Sequence, residues 1–343
     1  METYGSQRIK WPYATHIVDR TAFTTLIPVV EEDNPGSLLL GRVVAIGRHK
    51  DLESVEGRKI SLFKDDLFVG TLGHRYATDQ YEGAAVCRGP MGHILSIGGV
   101  CGEVVSKNER MVDPTVVEWL GRLAGEGGAP LHLRDFRMTS ARPLHAPRPR
   151  IVLSLGASMN AGKTTTAAQL IRSLASAGHK VSAAKITGTA CRKDPSLLED
   201  AGATRVLDFT WTGWPSTAGC SREELLSVWR EITWALRADE PEVLVYEIAD
   251  GIVQRETRML LEDPVVRDSV DAVTYAAPDS LSCESGVRML RGLGYKVLAT
   301  AGPVANSALG RAEVEALTQI PCLAGDAILA GALVPALDAV TAA

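Results

Sequence analysis

Residues 153–170 read LSLGASMNAGKTTTAAQL, and no other stretch narrows the fold as much. The apolar run RIVLSLG enters it, and KTTTAAQLIRSLASAG, with helical periodicity, leaves it. Between them, Ala157, four residues, then Gly162, Lys163 and Thr164 satisfy the Walker A spacing with alanine in the first position. Gly156 stands one residue ahead. Gly162 allows close backbone approach to an anion, successive amides form a cradle, and the helix presents its positive end. Lys163 has the length to reach β- and γ-phosphates, and the Thr164 hydroxyl is the right ligand for Mg²⁺. Gly156, Ala157, Asn160, Ala161, Gly162, Lys163, Thr164 and Thr165 are therefore read as nucleotide-binding.

This loop predicts an α/β domain, a mostly parallel sheet wrapped by helices, over residues 151–343. KVSAAKITG, PEVLVYEIADG, DAVTYAAP and KVLATAG supply further strands, with helical segments between them. Residues 1–138 have a different grammar. Short runs such as SLLLGRVVAIG, RKISLF, DLFVGTLG and HILSIGGVCGEVV are broken by glycine and charge, which predicts a smaller mostly-β domain, a partly closed barrel. One segment there, DPTVVEWLGRLAGEGG, is expected to be helical, with Asp113 as N-cap and Pro114 in the first turn. Residues 139–150, TSARPLHAPRPR, read as a linker whose Arg142, Arg148 and Arg150 are solvated.

Of 343 residues, 45% are hydrophobic and 22% charged, which suits a globular chain. A net charge of −5 argues against nucleic acid as a partner. No apolar run approaches the roughly 20 residues of a membrane span, and METYGSQRIKWPYATH lacks a signal-peptide core, so a cytoplasmic protein is expected. Six cysteines form no CxxC pair and seven histidines form no HxxH or HExxH group, so neither a transition-metal site nor a disulfide framework is expected.

Lys185 ends the strand after the loop, where it can offset phosphate charge or hold an anionic substrate, and Thr187, Gly188 and Thr189 follow as substrate candidates. Glu247 emerges from VLVYE as a metal anchor or water-orienting group, with Asp250 and Gly251 as further substrate candidates. Asp208 ends another short apolar run and is either a metal ligand or a helix cap. In the N-terminal half, Arg75, Tyr76, Asp79 and Tyr81 are a polar-aromatic cluster that serves a partner or packs a hairpin.

GASMNAGKTTTAAQLIRSLASAGHKVSAAKITGT resembles the opening βαβ unit of dethiobiotin synthetase and its relatives among the SIMIBI-class P-loop proteins. YEIADG is similar to that family's turn after the third strand, and the arrangement also resembles molybdopterin-guanine dinucleotide biosynthesis protein B. The resemblance covers roughly residues 150–335. It implies ATP and Mg²⁺ at Lys163 and Thr164, Lys185 on the transferred group, Glu247 at the metal, Asn306 near the adenine, and a homodimer. Ile-Ala-Asp-Gly replaces the family's glycine-rich turn, no Asn-Lys-x-Asp segment reads guanine, and the Trp-rich loop DFTWTGWPST is additional and a candidate wall of a different pocket. The expected function is transfer of a γ-phosphoryl group to a small-molecule substrate. It proceeds as a kinase, or as a ligase through an acyl- or carbamoyl-phosphate intermediate, with Lys163, Lys185 and Glu247 as the catalytic set. The alternative is a nucleotide-dependent switch or cofactor-delivery protein of the same class.

Overall fold

The sequence pattern of the C-terminal half becomes six strands in a computed structural model that describes residues 3–31, 34–141 and 147–340. Arg142, one of the three linker arginines, lies outside the described residues. The chain divides into two compact units. The first holds 1–139 together with 189–193 and 209–219; the second holds 140–188, 194–208 and 220–343. The sequence reading placed 189–193 and 209–219 in the P-loop domain; in the structure they group with the first unit.

In the second unit the strands are β1 (Arg150–Gly156), β2 (Val181–Lys185), β3 (Val206–Asp208), β4 (Val243–Glu247), β5 (Ala272–Ala276) and β6 (Val297–Ala301). All pair in parallel, in the order β3-β2-β4-β1-β5-β6. Every residue of β2, β4 and β5 is buried, the signature of a sheet covered on both faces, where apolar runs replace alternation. Helix α1 (Lys163–Ser176) turns Ala167, Leu170, Ile171 and Leu174 into a core shared with Val152, Val181, Val243 and Val245. The chain leaves β1 toward β2 on one side and later reaches β5 on the other, so the carboxyl end of β1 lies where the winding reverses. Open α/β sheets bind ligands at that position.

The first unit is mostly β, as expected. Strands Leu67–Leu72, Leu38–Ala45, Thr115–Ala124, Met91–Ile94 and Val100–Lys107 pair in that order, and the last returns to the first by a parallel pairing, closing a ring. Leu39, Phe68, Ile94, Cys101, Val117 and Trp119 pack in one cluster, while Leu38, Leu40, Leu67 and Val69 pack in another with Ile9, Trp11 and Phe23. That explains the uninterrupted Leu38–Leu40 run: both faces of the strand are covered.

Thr115–Ala124 is a strand, not the expected helix. Thr115, Val117, Trp119, Gly121 and Leu123 are buried while the residues between them are only partly so, a period of two. Val116, Leu120 and Leu123 also satisfy helical spacing, but β-branched and aromatic side chains paired on both strand edges outweigh it. Arg148 and Arg150 are not solvated linker residues. Arg148 pairs with Asp271 at 2.9 Å, and Arg150 pairs with Asp338 and donates to Leu337 O. Arg75 is buried and donates to Leu95 O and Gln80, and Tyr81 is fully buried with its hydroxyl on Val112 O, so half of the polar-aromatic cluster serves packing.

Candidate functional site at the carboxyl edge of the parallel sheet

The loop between β1 and α1 has two left-handed positions within three residues, Asn160 at φ 61° and Gly162 at φ 101°. Such alternation makes a backbone concavity suited to an anion. No side chain caps α1, and its first turn carries no acid, whereas α3 (Arg222–Arg237) and the helices Ser280–Gly292 and Ala308–Thr318 are capped by Ser221, Asp279 and Ser307. The positive end of α1 is thus left to a ligand.

Lys163 is buried and folds back on its loop, donating to Ser158 O at 2.8 Å, while Ser154 Oγ donates to Lys163 O. Burial pushes the Lys163 ammonium below its ordinary range; Glu247 and Asp250 pull it back up, Lys185 lowers it further, and Asp194 raises it. These five groups therefore share one electrostatic neighbourhood.

Sheet register explains how they meet. Glu247 lies opposite Ser154 of β1 on one side and Lys185 of β2 on the other. Thr164 Oγ1 donates to Glu247 Oε1 at 3.0 Å, and Lys185 Nζ donates to the same oxygen at 3.3 Å. Lys185 also pairs with Asp194, in the first turn of α2 (Lys193–Asp200). Glu247 Oε2 is buried and has no hydrogen-bond partner among the described residues. A buried carboxylate oxygen in that state is costly unless something else satisfies it. Beside a threonine hydroxyl at the mouth of a phosphate loop, a hard divalent cation such as Mg²⁺ fits that requirement.

The remaining candidates are distributed as follows. Thr187 is buried and donates to Ala249 O at 2.5 Å, which Thr257 also reaches, so its hydroxyl braces the turn after β4. Gly188 has φ 142°, and Thr189 groups with the first unit. Gly251 packs against the phosphate loop: a Cβ there would stand 2.3 Å from Ala157 O. Asp250 is half-buried, and its charge favours the Lys163 ammonium. Asp208 is buried at the end of β3, with Lys185 of β2 standing between it and Glu247 in the sheet register. Among the described residues no group of three His, Cys, Asp or Glu is placed to hold a metal. Asn306 is exposed at the end of the turn 303–306 after β6, and Gly302 of that connection approaches Ala161 O. In the Trp-rich loop, Trp211 meets His16 edge-on and Trp214 lies under Arg134, contacts within the first unit. Asp194 was missed by sequence reasoning; its signal was an acid opening the helix after the Lys185 strand.

No family model and no curated protein matches this chain. Among solved structures it is similar to the signal recognition particle 54 kDa protein from Aeropyrum pernix in complex with GDP, at 18% identity and TM-score 0.38, over 59% of this chain and 49% of that one. It is similar to a DUF1611 family protein from Anabaena variabilis, at 15% identity and TM-score 0.39, over 63% and 65% respectively. It is also similar to the signal recognition particle receptor FtsY from Elizabethkingia anophelis, at 19% identity and TM-score 0.32, over 46% and 53%. The chain thus spans between about half and two thirds of the length of these structures.

Proposed function

We propose that the second unit binds Mg-ATP and transfers its γ-phosphoryl group to a small-molecule acceptor. One observation carries the reading: Glu247 sits against Thr164 at the phosphate loop with its second carboxylate oxygen buried and unpartnered. ATP is preferred to GTP on the sequence ground given above, and the acceptor takes the phosphate as in a kinase or proceeds through a phosphorylated carboxylate or carbamate as in a ligase.

The chain's own groups divide the work. The loop amides and the uncapped end of α1 bind the phosphates. Lys163 leaves Ser158 O for a β- or γ-phosphate oxygen, a short swing of a side chain already at the site. Lys185, at the adjacent strand end, faces charge that develops on the transferred group. Thr164 and Glu247 would hold Mg²⁺, which when bound offsets phosphate charge. Catalysis of this type is positioning and electrostatics, with the nucleophile supplied by the acceptor.

Calorimetry of the full chain with Mg-ATP and, in parallel, Mg-GTP tests the reading. Saturable heat is expected with Mg-ATP, and Lys163→Ala should weaken it at least about tenfold while the protein still melts cooperatively. Binding of equal strength in Lys163→Ala, or no heat with either nucleotide, overturns the proposal. ADP release that rises with small-molecule fractions supports an enzyme; release that answers only to a protein partner supports a switch.

A further inference from the structure

Lys185 lies between two carboxylates. Its Nζ reaches Glu247 Oε1 at 3.3 Å and pairs with Asp194 on the other side. The Lys185 side chain is 9% exposed, Glu247 2% and Asp194 24%, so the pairing runs from the interior toward solvent. Glu247 Oε1 already takes the Thr164 hydroxyl, leaving Oε2 without a partner. A buried ammonium needs compensating charge, and Asp194 shares that compensation with Glu247.

We infer that Asp194 is a positioning residue that draws Lys185 toward itself and away from closer pairing with Glu247, keeping the Glu247 carboxylate available to the divalent cation. The inference rests on the Mg-nucleotide reading above and deepens it. Asp194 touches neither nucleotide nor metal in this role; it acts through Lys185. Removing its charge lets the ammonium close on Glu247 and compete with the cation. The same change removes a negative charge near the phosphates, so binding of nucleotide without metal is not weakened.

The test is Mg²⁺ titration of ATP binding, by calorimetry or fluorescence of a labelled nucleotide, in the wild-type chain, Asp194→Asn, Lys185→Gln and the double variant. Asp194→Asn is expected to raise the Mg²⁺ concentration for half-saturation by about tenfold, the usual scale for losing a partner of a metal ligand. Its ATP affinity in chelator should equal or exceed that of wild type. In the Lys185→Gln background the Asn substitution should leave the Mg²⁺ requirement unchanged. A wild-type Mg²⁺ requirement in Asp194→Asn, equal weakening with and without metal, or an undiminished effect in the Lys185→Gln background overturns the inference while leaving Mg-ATP binding intact. If Asp194→Asn does not fold, Asp194→Glu, which keeps the charge, must bind with a near-wild-type Mg²⁺ requirement. Failure of the wild-type chain to bind Mg-ATP refutes the functional proposal, and the inference falls with it.

Discussion

At the scale of single residues, the site depends on side chains that are absent as much as on those present. Gly251 has no Cβ because Ala157 O would lie 2.3 Å from it and Ser158 Cα 3.0 Å. Both are backbone atoms and cannot step aside as a flexible side chain would. Gly251→Ala is therefore expected to displace the phosphate loop, cost about 1–3 kcal/mol of stability and weaken nucleotide binding. Denaturant unfolding together with calorimetry checks this; unaltered binding would show that the loop tolerates the shift. Sequence reasoning had given Gly251 to the substrate, since a glycine's spelling does not say which backbone approaches it.

Among the elements, α3 shows how much local sequence can decide. Ser221 accepts from Glu224 N, and the Glu224 side chain accepts from Ser221 N, a reciprocal cap that fixes where the helix starts. Ser221→Ala should lower stability by about 1 kcal/mol, read as a shifted denaturation midpoint with unchanged slope. The strand Thr115–Ala124 shows the opposite case. Its residues satisfy two periodicities, and the choice falls to strand Leu38–Ala45 on one edge and Met91–Ile94 on the other. Neither partner is adjacent in sequence, so a window of ten residues could not contain the deciding information.

For the whole molecule, buried titratable groups set how stability follows pH. His49 is buried in the first unit, its Nδ1 donating to Ile94 O at 3.0 Å. Burial, then the Arg75 charge, pushes the imidazole down to about 4 from 6.5. The folded protein thus refuses a proton that the unfolded chain accepts. The stabilising difference is fully present above pH 6.5 and is lost as pH falls toward 4, by about 3 kcal/mol at most. Unfolding at pH 7 and pH 4.5 should show a smaller loss in His49→Gln than in the wild-type chain; equal losses would refute the assignment. The described residues include no helix long and apolar enough to cross a membrane.

The phosphate loop, the parallel strands and the Lys163–Thr164 pair were legible in the linear sequence because each depends on neighbours a few residues away: strand, turn, helix. The loop's left-handed backbone at Asn160 and Gly162 belongs to the same local class. What only the folded chain decided is the company these residues keep. Register between β1, β2 and β4 brings Ser154, Lys185 and Glu247 into line from positions up to 93 residues apart. The same register leaves Asp208 on the far side of Lys185, and α2 brings Asp194 to that lysine. Pairing with Leu38–Ala45 on one edge and Met91–Ile94 on the other turned an apparent helix into a strand. Hydrogen-bond ladders and burial operate across space, so pairings between distant segments belong to the tertiary structure alone.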